Sequence, residues 1–185
     1  MPPVAHPQPP DHRANDNPAA QGYNDCAHGA TQAMDFQPSD IIPYKRSRFQ
    51  TRLPKSRLYT LSHYWLSEME PGLWRVGLTR FATRMLGEVV EHGFEVKEGA
   101  AIGVGQRIGW IEGFKTLTDL YCVLDGTFAR GNLDLDADST RIDKDPYYKG
   151  WLYQARGTPE PNAVPVEQYI QVLDATIDKM QGATP

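Results

Sequence analysis

The chain has 185 residues, which is enough for one ordinary domain with some chain to spare. Its 16 glycines and 15 prolines favour a loop-rich or β-rich domain, but they are too few for a collagen or a wholly disordered chain. The net charge of −4 argues against nucleic-acid binding, because phosphate attraction needs an excess of clustered cations. No apolar run reaches the roughly 18 residues that a membrane-spanning helix needs.

The spacing of the cysteines and carboxylates in the sequence does not predict a metal site. Cys26 and Cys122 lie far apart, and no CxxC or Cys/His spacing accompanies them. We therefore expect reduced thiols and a cytoplasmic protein rather than a disulfide framework or a zinc site. The N-terminal residues contain no apolar stretch of the kind found in secretory signals. Asp134, Asp136 and Asp138 have the spacing of a calcium loop but lack its later glycine and glutamate.

Residues 1–57 are predicted to be a disordered tail, proline-rich at first and then basic. Six of the first eighteen residues are proline, and six cations lie between residues 45 and 57. Such a stretch buries too little apolar surface to offset its ordering entropy. The apolar residues from Phe36 to Phe49 leave open that its later part docks on the domain or on a partner. We expect residues 1–43 to be dispensable for folding.

From residue 58 the chain shows short apolar stretches of strand type, separated by turn signals. Glycines at 72, 87, 99, 113 and 126 punctuate them. The predicted strands lie at residues 58–66, 73–78, 88–96, 101–112, 117–124, 127–129 and 151–155. Regular spacing of many short strands favours a small β-barrel or sandwich, which we place at residues 58–157.

Helices are predicted at three places. Thr79 can cap a short helix that ends at Gly87 with a positive φ. Residues 134–142 favour a weak helical turn. After Pro165, apolar residues recur at a spacing of three to four, which predicts a C-terminal amphipathic helix in the segment 158–185 that packs on the domain.

Residues 109–121 are predicted to form a strand, a tight turn and a second strand, with Lys115 in or beside the turn. A lysine in that position is exposed and open to a modifying enzyme. No GxSxG elbow, HExxH motif, Walker A loop or acid–base pair occurs in the sequence. We therefore do not expect an enzyme that works alone.

Five features in order carry a family resemblance. They are YTLSHYWL at 59–66, VGLTRFA with LGEVV at 76–90, IEGFKT at 111–116, Gly126 eleven residues after Lys115, and DPYYKGWL at 145–152. Together they resemble the H protein of the glycine cleavage system, a family of lipoyl carriers. The family's usual residues differ at Tyr64, where it has Glu, and at Gly113 and Phe114, where it has Ser and Val.

The resemblance implies a mainly β fold, a flattened hybrid β-barrel of the biotinyl/lipoyl-carrier type with small flanking helices. It also implies a non-catalytic carrier in glycine catabolism. Lipoate bound covalently to a lysine would carry the aminomethyl group of glycine from a pyridoxal-phosphate-dependent glycine decarboxylase to a tetrahydrofolate-dependent aminomethyltransferase. A dihydrolipoamide dehydrogenase and a lipoate-transferring ligase complete the implied partners, with neither nucleic acid nor membrane among them.

The resemblance also implies roles for four residues. Lys115 would be the lipoyl attachment point, and Glu112 would help the ligase to recognise the hairpin. Gly126 would let two turns approach closely, and His63 would contact the loaded arm. His63 as a packed, hydrogen-bonded core residue remains an alternative, as does Glu112 as a solvated carboxylate.

Two other functions stay open at this point. One is a lipoate-binding carrier of another pathway, such as sulfur oxidation, which would keep the arm and change the partners. The other is an unlipoylated module that only binds proteins.

Overall fold

The computed structural model describes residues 40–182, which form a mainly β fold. The strands are β1 (Ile41–Arg46), β2 (Phe49–Pro54), β3 (Leu58–Tyr59), β4 (Tyr64–Glu70), β5 (Leu73–Leu78), β6 (Val89–Phe94), β7 (Ala101–Ile102), β8 (Arg107–Gly113), β9 (Thr116–Tyr121), β10 (Leu124–Gly131) and β11 (Trp151–Pro159). The helices are α1 (Arg80–Leu86), α2 (Asp134–Ala137), α3 (Arg141–Lys144) and α4 (Val166–Met180).

Two antiparallel sheets enclose the main core. One has six strands in the order β3-β4-β5-β11-β10-β7, and the other has three in the order β6-β8-β9. Within residues 40–182 no strand pairing joins these sheets into a closed ring, so the predicted barrel is a flattened and open one. Alternating apolar residues of both sheets fill the space between them, as the pattern predicts. The fully buried members include Leu66, Val76, Ile108, Ile111 and Leu124.

A second core lies under the hairpin of β1 and β2. Tyr44, Phe49 and Leu53 are buried there against side chains from β3, β4, α1 and α4. The predicted tail boundary at residue 57 is therefore wrong for residues 41–54, which form this paired hairpin. Ile42 and Tyr44 of β1 and Phe49 and Leu53 of β2 face the body, and their burial offsets the ordering cost. The preceding part of the predicted tail, residues 1–39, lies outside the described residues.

Helix α4 holds the hairpin by polar contacts as well. The Tyr44 hydroxyl donates to Asp174 Oδ1 at 2.8 Å. The Arg46 guanidinium lies 3.0 Å from Asp174 Oδ1 and 2.5 Å from Asp178 Oδ2. These contacts join segments about 130 positions apart in the sequence. The hairpin and the C-terminal helix therefore form one packed unit on the side of the main core.

The predictions of the capped helix α1 and of the C-terminal helix α4 are confirmed. Thr79 caps α1 by accepting from the Ala82 N–H, and Gly87 ends it with a φ of 84°. Helix α4 begins directly after Pro165. Its predicted apolar stripe is buried at Val166, Tyr169, Leu173 and Ile177, half-buried at Ile170, and 60% exposed at Met180. Residues 134–142 hold α2 and the start of α3, two short turns rather than one. A search of residues 40–182 finds no helix long and apolar enough to span a membrane.

Candidate functional site

Lys115 lies in the two-residue turn between β8 and β9, where the sequence places it. Gly113 pairs with Thr116, so Phe114 and Lys115 form the turn. The backbone N–H of Phe114 donates to the Glu88 carbonyl, and that of Lys115 to the Leu86 carbonyl, each at 3.0 Å. The turn is thus fixed to the end of α1, while both of its side chains are exposed.

The glycine that precedes this turn has a steric reason. A Cβ at Gly113 would overlap the backbone carbonyl of Leu86, which receives the Lys115 N–H. Only glycine allows the strand to approach α1 this closely. The change from the family's usual serine at residue 113 therefore fits the close packing of this particular turn.

A cleft of about 270 Å³ opens beside Lys115. Its walls come from the β1–β2 turn, from α1, from the end of α4 and from Lys115 itself. The lining residues are Arg46, Ser47, Arg48, Phe49, Phe81, Arg84, Met85, Lys115, Ile177, Met180 and Gln181. Five apolar side chains and three guanidinium groups thus surround a space that the lysine side chain already enters.

The Lys115 ammonium has weak local restraints. Its Nζ lies 3.4 Å from the Arg84 carbonyl oxygen. Among residues 40–182 no carboxylate forms an ion pair with it. The neighbouring Arg84 guanidinium carbon lies 5.8 Å from the centre of the Phe49 ring. The lysine is therefore held at its backbone and left chemically accessible at its amine.

Glu112 lies on β8, three residues before Lys115, and its side chain is exposed. It pairs across the sheet with Leu117 on β9 and with Glu91 on β6. Exposed apolar side chains flank the turn, with Phe114 75% and Leu117 64% accessible. A carboxylate and two apolar side chains thus surround the lysine on one open surface.

His63 belongs to the second core and does not line the cleft formed by the described residues. Its Nδ1 lies 2.9 Å from the Tyr169 hydroxyl, and its ring centre lies 4.6 Å from that of Phe81. Burial lowers the pKa of His63 to about 4, so the ring is neutral near pH 7. The φ of His63 is 65°, in the left-handed region, and its carbonyl oxygen accepts a hydrogen bond from the Thr79 N–H. This geometry is that of the alternative in which His63 is a packed, hydrogen-bonded core residue.

Gly126 lies within strand β10 and not in a turn. It pairs directly with Gly157 on β11. A Cβ on Gly126 would overlap the Arg156 carbonyl, and one on Gly157 would overlap the Asp125 carbonyl. The close approach expected of Gly126 is therefore present, but it joins two strands of the six-stranded sheet.

Tyr64, which replaces the family's usual Glu, fills a core position. Its side chain is 5% exposed, and its hydroxyl oxygen accepts from the backbone N–H of Tyr121 at 3.2 Å. Burial raises the pKa of Tyr64 to about 12, so the phenol stays neutral. The substitution exchanges an acidic group for a link between β4 and the end of β9.

Sequence reasoning missed the cleft residues contributed by the hairpin and by the end of α4. The sequence predicts only that the segment ending at Phe49 can dock on the domain or on a partner, and that Met180 belongs to the apolar stripe of the C-terminal helix. The signal available was the alternation of apolar residues through 42–53, which is typical of a half-buried hairpin. A search of residues 40–182 for clustered metal-binding side chains finds none.

The comparisons with known proteins agree with this geometry. The model of the family described as "Glycine cleavage H-protein" matches residues 57–172. The H protein of Rubrobacter xylanophilus is 32% identical over 123 residues, which is 66% of this chain and 95% of that protein. The H protein of Streptomyces coelicolor is 34% identical over 109 residues, which cover 58% of this chain and 86% of its own.

A solved structure gives the same result for the fold. The crystal structure of an H protein from Mycobacterium marinum aligns with a TM-score of 0.60 at 28% identity, covering 66% of this chain and 99% of its own. Residues 41–54 and the end of α4 lie outside the family match, whereas Lys115 and α1 lie within it. The chain therefore belongs to the glycine cleavage H-protein family, whose members are non-catalytic lipoyl carriers of the glycine cleavage system.

Proposed function

We propose that this chain carries lipoate on Lys115. The observation that carries the proposal is the placement of that lysine at the exposed tip of a turn whose backbone is fixed to α1. A ligase would join the lysine amine to the lipoate carboxyl group as an amide, with cleavage of ATP to AMP and pyrophosphate, and this removes the positive charge of the side chain. Lipoate would supply a disulfide that takes up the one-carbon unit together with two electrons; the one-carbon unit then leaves to the tetrahydrofolate-dependent enzyme, and the dehydrogenase removes the two electrons from the remaining dithiol.

The residues around Lys115 fit such an arm. A lipoyl-lysine is a long and mainly apolar chain, and the adjoining cleft offers Phe49, Phe81 and Met85 on its walls. Ile177 and Met180 of α4 extend that apolar surface. The chain's part in the chemistry would be to attach, seat and release the arm, while partner enzymes perform the reactions.

We assign supporting roles to three further residues. Glu112 would contact the ligase, because it is exposed on the same strand as the turn. His63 would influence the arm through Phe81, whose ring it touches and which lines the cleft. Gly126 would keep β10 and β11 in close register, which supports the sheet rather than the turn.

The proposed partners are the enzymes that the family's pathway requires. They are a pyridoxal-phosphate-dependent glycine decarboxylase, a tetrahydrofolate-dependent aminomethyltransferase, a dihydrolipoamide dehydrogenase and the lipoate ligase. The effective concentration that a tethered arm provides makes transfer between them efficient without a permanent complex. We place these reactions in the cytoplasm, which the free buried thiol of Cys122 supports.

The test is mass spectrometry of the full chain after incubation with lipoate, ATP and a lipoate ligase. We expect one lipoyl group per chain, found on the peptide that contains Lys115. A Glu112→Gln variant should be lipoylated more slowly, whereas Glu98→Gln on a distant exposed loop should behave as the unchanged protein. Lipoate on Lys97 or Lys144 instead, or on no residue, would contradict the proposal.

A further inference from the structure

We propose that the outer face of the β1–β2 hairpin is a docking surface for an acidic patch on the enzymes that exchange groups with the arm. We call this surface the basic face and define it by Lys45, Arg48 and Arg52. The proposal rests on the proposed function, because it concerns proteins that approach Lys115. It adds a recognition surface built by residues outside the family match.

The basic face arises because inward-facing and outward-facing side chains alternate along the two strands of the hairpin. Tyr44, Phe49 and Leu53 point into the second core, so the intervening residues of each strand face away from it. Lys45 and Arg52 are exposed, as is Arg48 in the turn. A shallow groove of about 470 Å³ adjoins both strands, and the inward-facing Tyr44 and Thr51 line it together with outward residues. The groove is lined by Pro43, Tyr44, Lys45, Gln50, Thr51 and Arg52.

Within residues 40–182 the cations of the basic face take no part in ion pairs that stabilise the fold. Arg46, by contrast, is bound to Asp174 and Asp178 of α4 and anchors the hairpin. The described part of the chain gives Lys45, Arg48 and Arg52 no ion-pair partner. Exposed cations without carboxylate partners contribute little to stability. Their concentration on one face therefore suits an interaction with another molecule.

Charge is distributed unevenly over the molecule. Residues 40–57 hold six cations and one carboxylate, while residues 58–185 carry a net charge of −6. An acidic partner would be repelled by most of this surface and attracted to the hairpin. Such a distribution orients an approaching protein before contact. The sign of the hairpin charge thus identifies the partner surface as acidic.

The basic face adjoins the arm. Arg48 lines the same cleft as Lys115. Strands rise about 3.3 Å per residue, so the basic face extends roughly 13 Å along β2 from Arg48 to Arg52. An enzyme that takes the arm from this cleft would come close to the hairpin turn, because Ser47 and Arg48 of that turn line the cleft. A binding surface in that place can act on every transfer of the arm.

An enzyme surface fits these observations better than a nucleic acid or a membrane. Three cations that have no ion-pair partner within residues 40–182 are few for a polyanion, whose binding depends on many phosphate contacts, and the chain has a net charge of −4. Short-range attraction to a carboxylate cluster needs no more than these three charges. It acts chiefly on the rate of encounter and weakens with salt.

The experiment uses lipoylated full-length protein and the glycine decarboxylase, with the rate of glycine decarboxylation measured against carrier concentration. The variants are Lys45→Glu/Arg52→Glu and Arg48→Glu. The matched control is Lys97→Glu, an exposed charge reversal beyond the end of β6 that lies away from the Lys115 turn. Each protein is measured at low and at high salt, after its lipoate content and melting temperature have been checked.

We expect the double variant to raise the KM for the carrier at least ~5-fold at low salt with kcat unchanged, and the difference to fall below ~2-fold at high salt. Arg48→Glu should show part of this effect and Lys97→Glu none. Equal KM values for the basic-face variants and the control would overturn the inference, as would binding of the basic face to DNA or anionic vesicles without any change in KM. If the double variant does not fold, Arg48→Glu and the salt dependence of the unchanged protein decide the matter. A wild-type chain without lipoate would instead contradict the proposed function.

Discussion

Two hairpins meet at the cleft, and they are built in different ways. The β8–β9 hairpin has β6 as a third strand and lies over the main core. The β1–β2 hairpin is a sheet of two strands, and its residues bury themselves against α4 and α1. One presents a lysine between exposed apolar residues, and the other presents cations. The first belongs to the family match and the second does not.

The difference shows that the acceptor turn and the cleft wall are separable. A two-stranded hairpin is at best marginally stable alone, so β1–β2 depends on tertiary contacts with a distant helix. The turn that carries Lys115 depends on strand pairing and on its bonds to α1. Damage to β1–β2 should therefore change the cleft and the stability of the fold, while leaving the attachment lysine in place.

The largest effect should come from removing the Lys115 amine of the β8–β9 hairpin. We expect Lys115→Arg to abolish lipoylation and carriage of the aminomethyl group, because a guanidinium does not form the amide. The turn side chain is exposed, so the free energy of unfolding should change by less than about 0.5 kcal/mol. Mass spectrometry and thermal melting check both parts. Lys97→Arg is the control, and residual transfer by Lys115→Arg would place the arm elsewhere.

The next largest effect should come from the second hairpin. Leu53 is fully buried in the second core, so Leu53→Ala should lower the free energy of unfolding by about 2–5 kcal/mol. Urea denaturation at pH 7 measures it. Gln50→Ala on the exposed face of the same strand should stay within about 0.5 kcal/mol. An unchanged free energy of unfolding in Leu53→Ala would mean that residues 41–54 are a tail and not a packed hairpin.

The free energy of unfolding should depend on pH through His63, which belongs to the second core. Burial holds the pKa of His63 near 4, below its ordinary value of about 6.5. Between these values the unfolded chain binds a proton that the folded chain does not, so stability falls as the pH falls from about 6.5 to about 4. The loss from this group should reach about 3 kcal/mol.

The measurement is a series of urea denaturations from pH 7 to pH 4. Burial also lowers the pKa of His92, so the unchanged protein shows both contributions. His63→Gln should have a shallower dependence, and the difference between the two curves isolates His63. Parallel curves would show that His63 is accessible to protons in the folded state.

The smallest effect should come from the ion pair that fastens the hairpin to α4. Arg46 donates hydrogen bonds to Asp178 and lowers the pKa of that carboxyl, so its contribution is present near neutral pH and is lost as the pH falls through the lowered value. Asp178→Asn should lower the melting temperature slightly at low salt and less at high salt. Glu98→Gln is the control. A loss that does not respond to salt would show that packing, not charge, is affected.

The sequence sufficed for the features with strong local rules. Thr79 and Gly87 bound α1 because an N-cap side chain and a positive φ are determined locally. Lys115 was placed in its turn because the flanking strands alternate and the motif is specific. Helix α4 followed from Pro165 and the apolar spacing after it.

The β1–β2 hairpin escaped prediction because its stabilising partner lies at the other end of the chain. Its cations and Pro43 suggest a solvated tail, and only Asp174 and Asp178 explain the position of Arg46. The position of Gly126 was missed for a related reason, since strand pairing with Gly157 is not visible in either residue alone. Contacts distant in sequence determined both outcomes.

The bond between Tyr44 and Asp174 joins the first described strand to the last helix, across 130 positions of sequence. During synthesis Asp174 leaves the ribosome 130 residues after Tyr44, and loop closure over such a separation is slow compared with formation of a local hairpin. The acceptor turn at Lys115 needs only neighbouring strands and α1. We therefore expect the turn that carries Lys115 to form before the cleft beside it, whose wall is completed only when α4 packs against the β1–β2 hairpin.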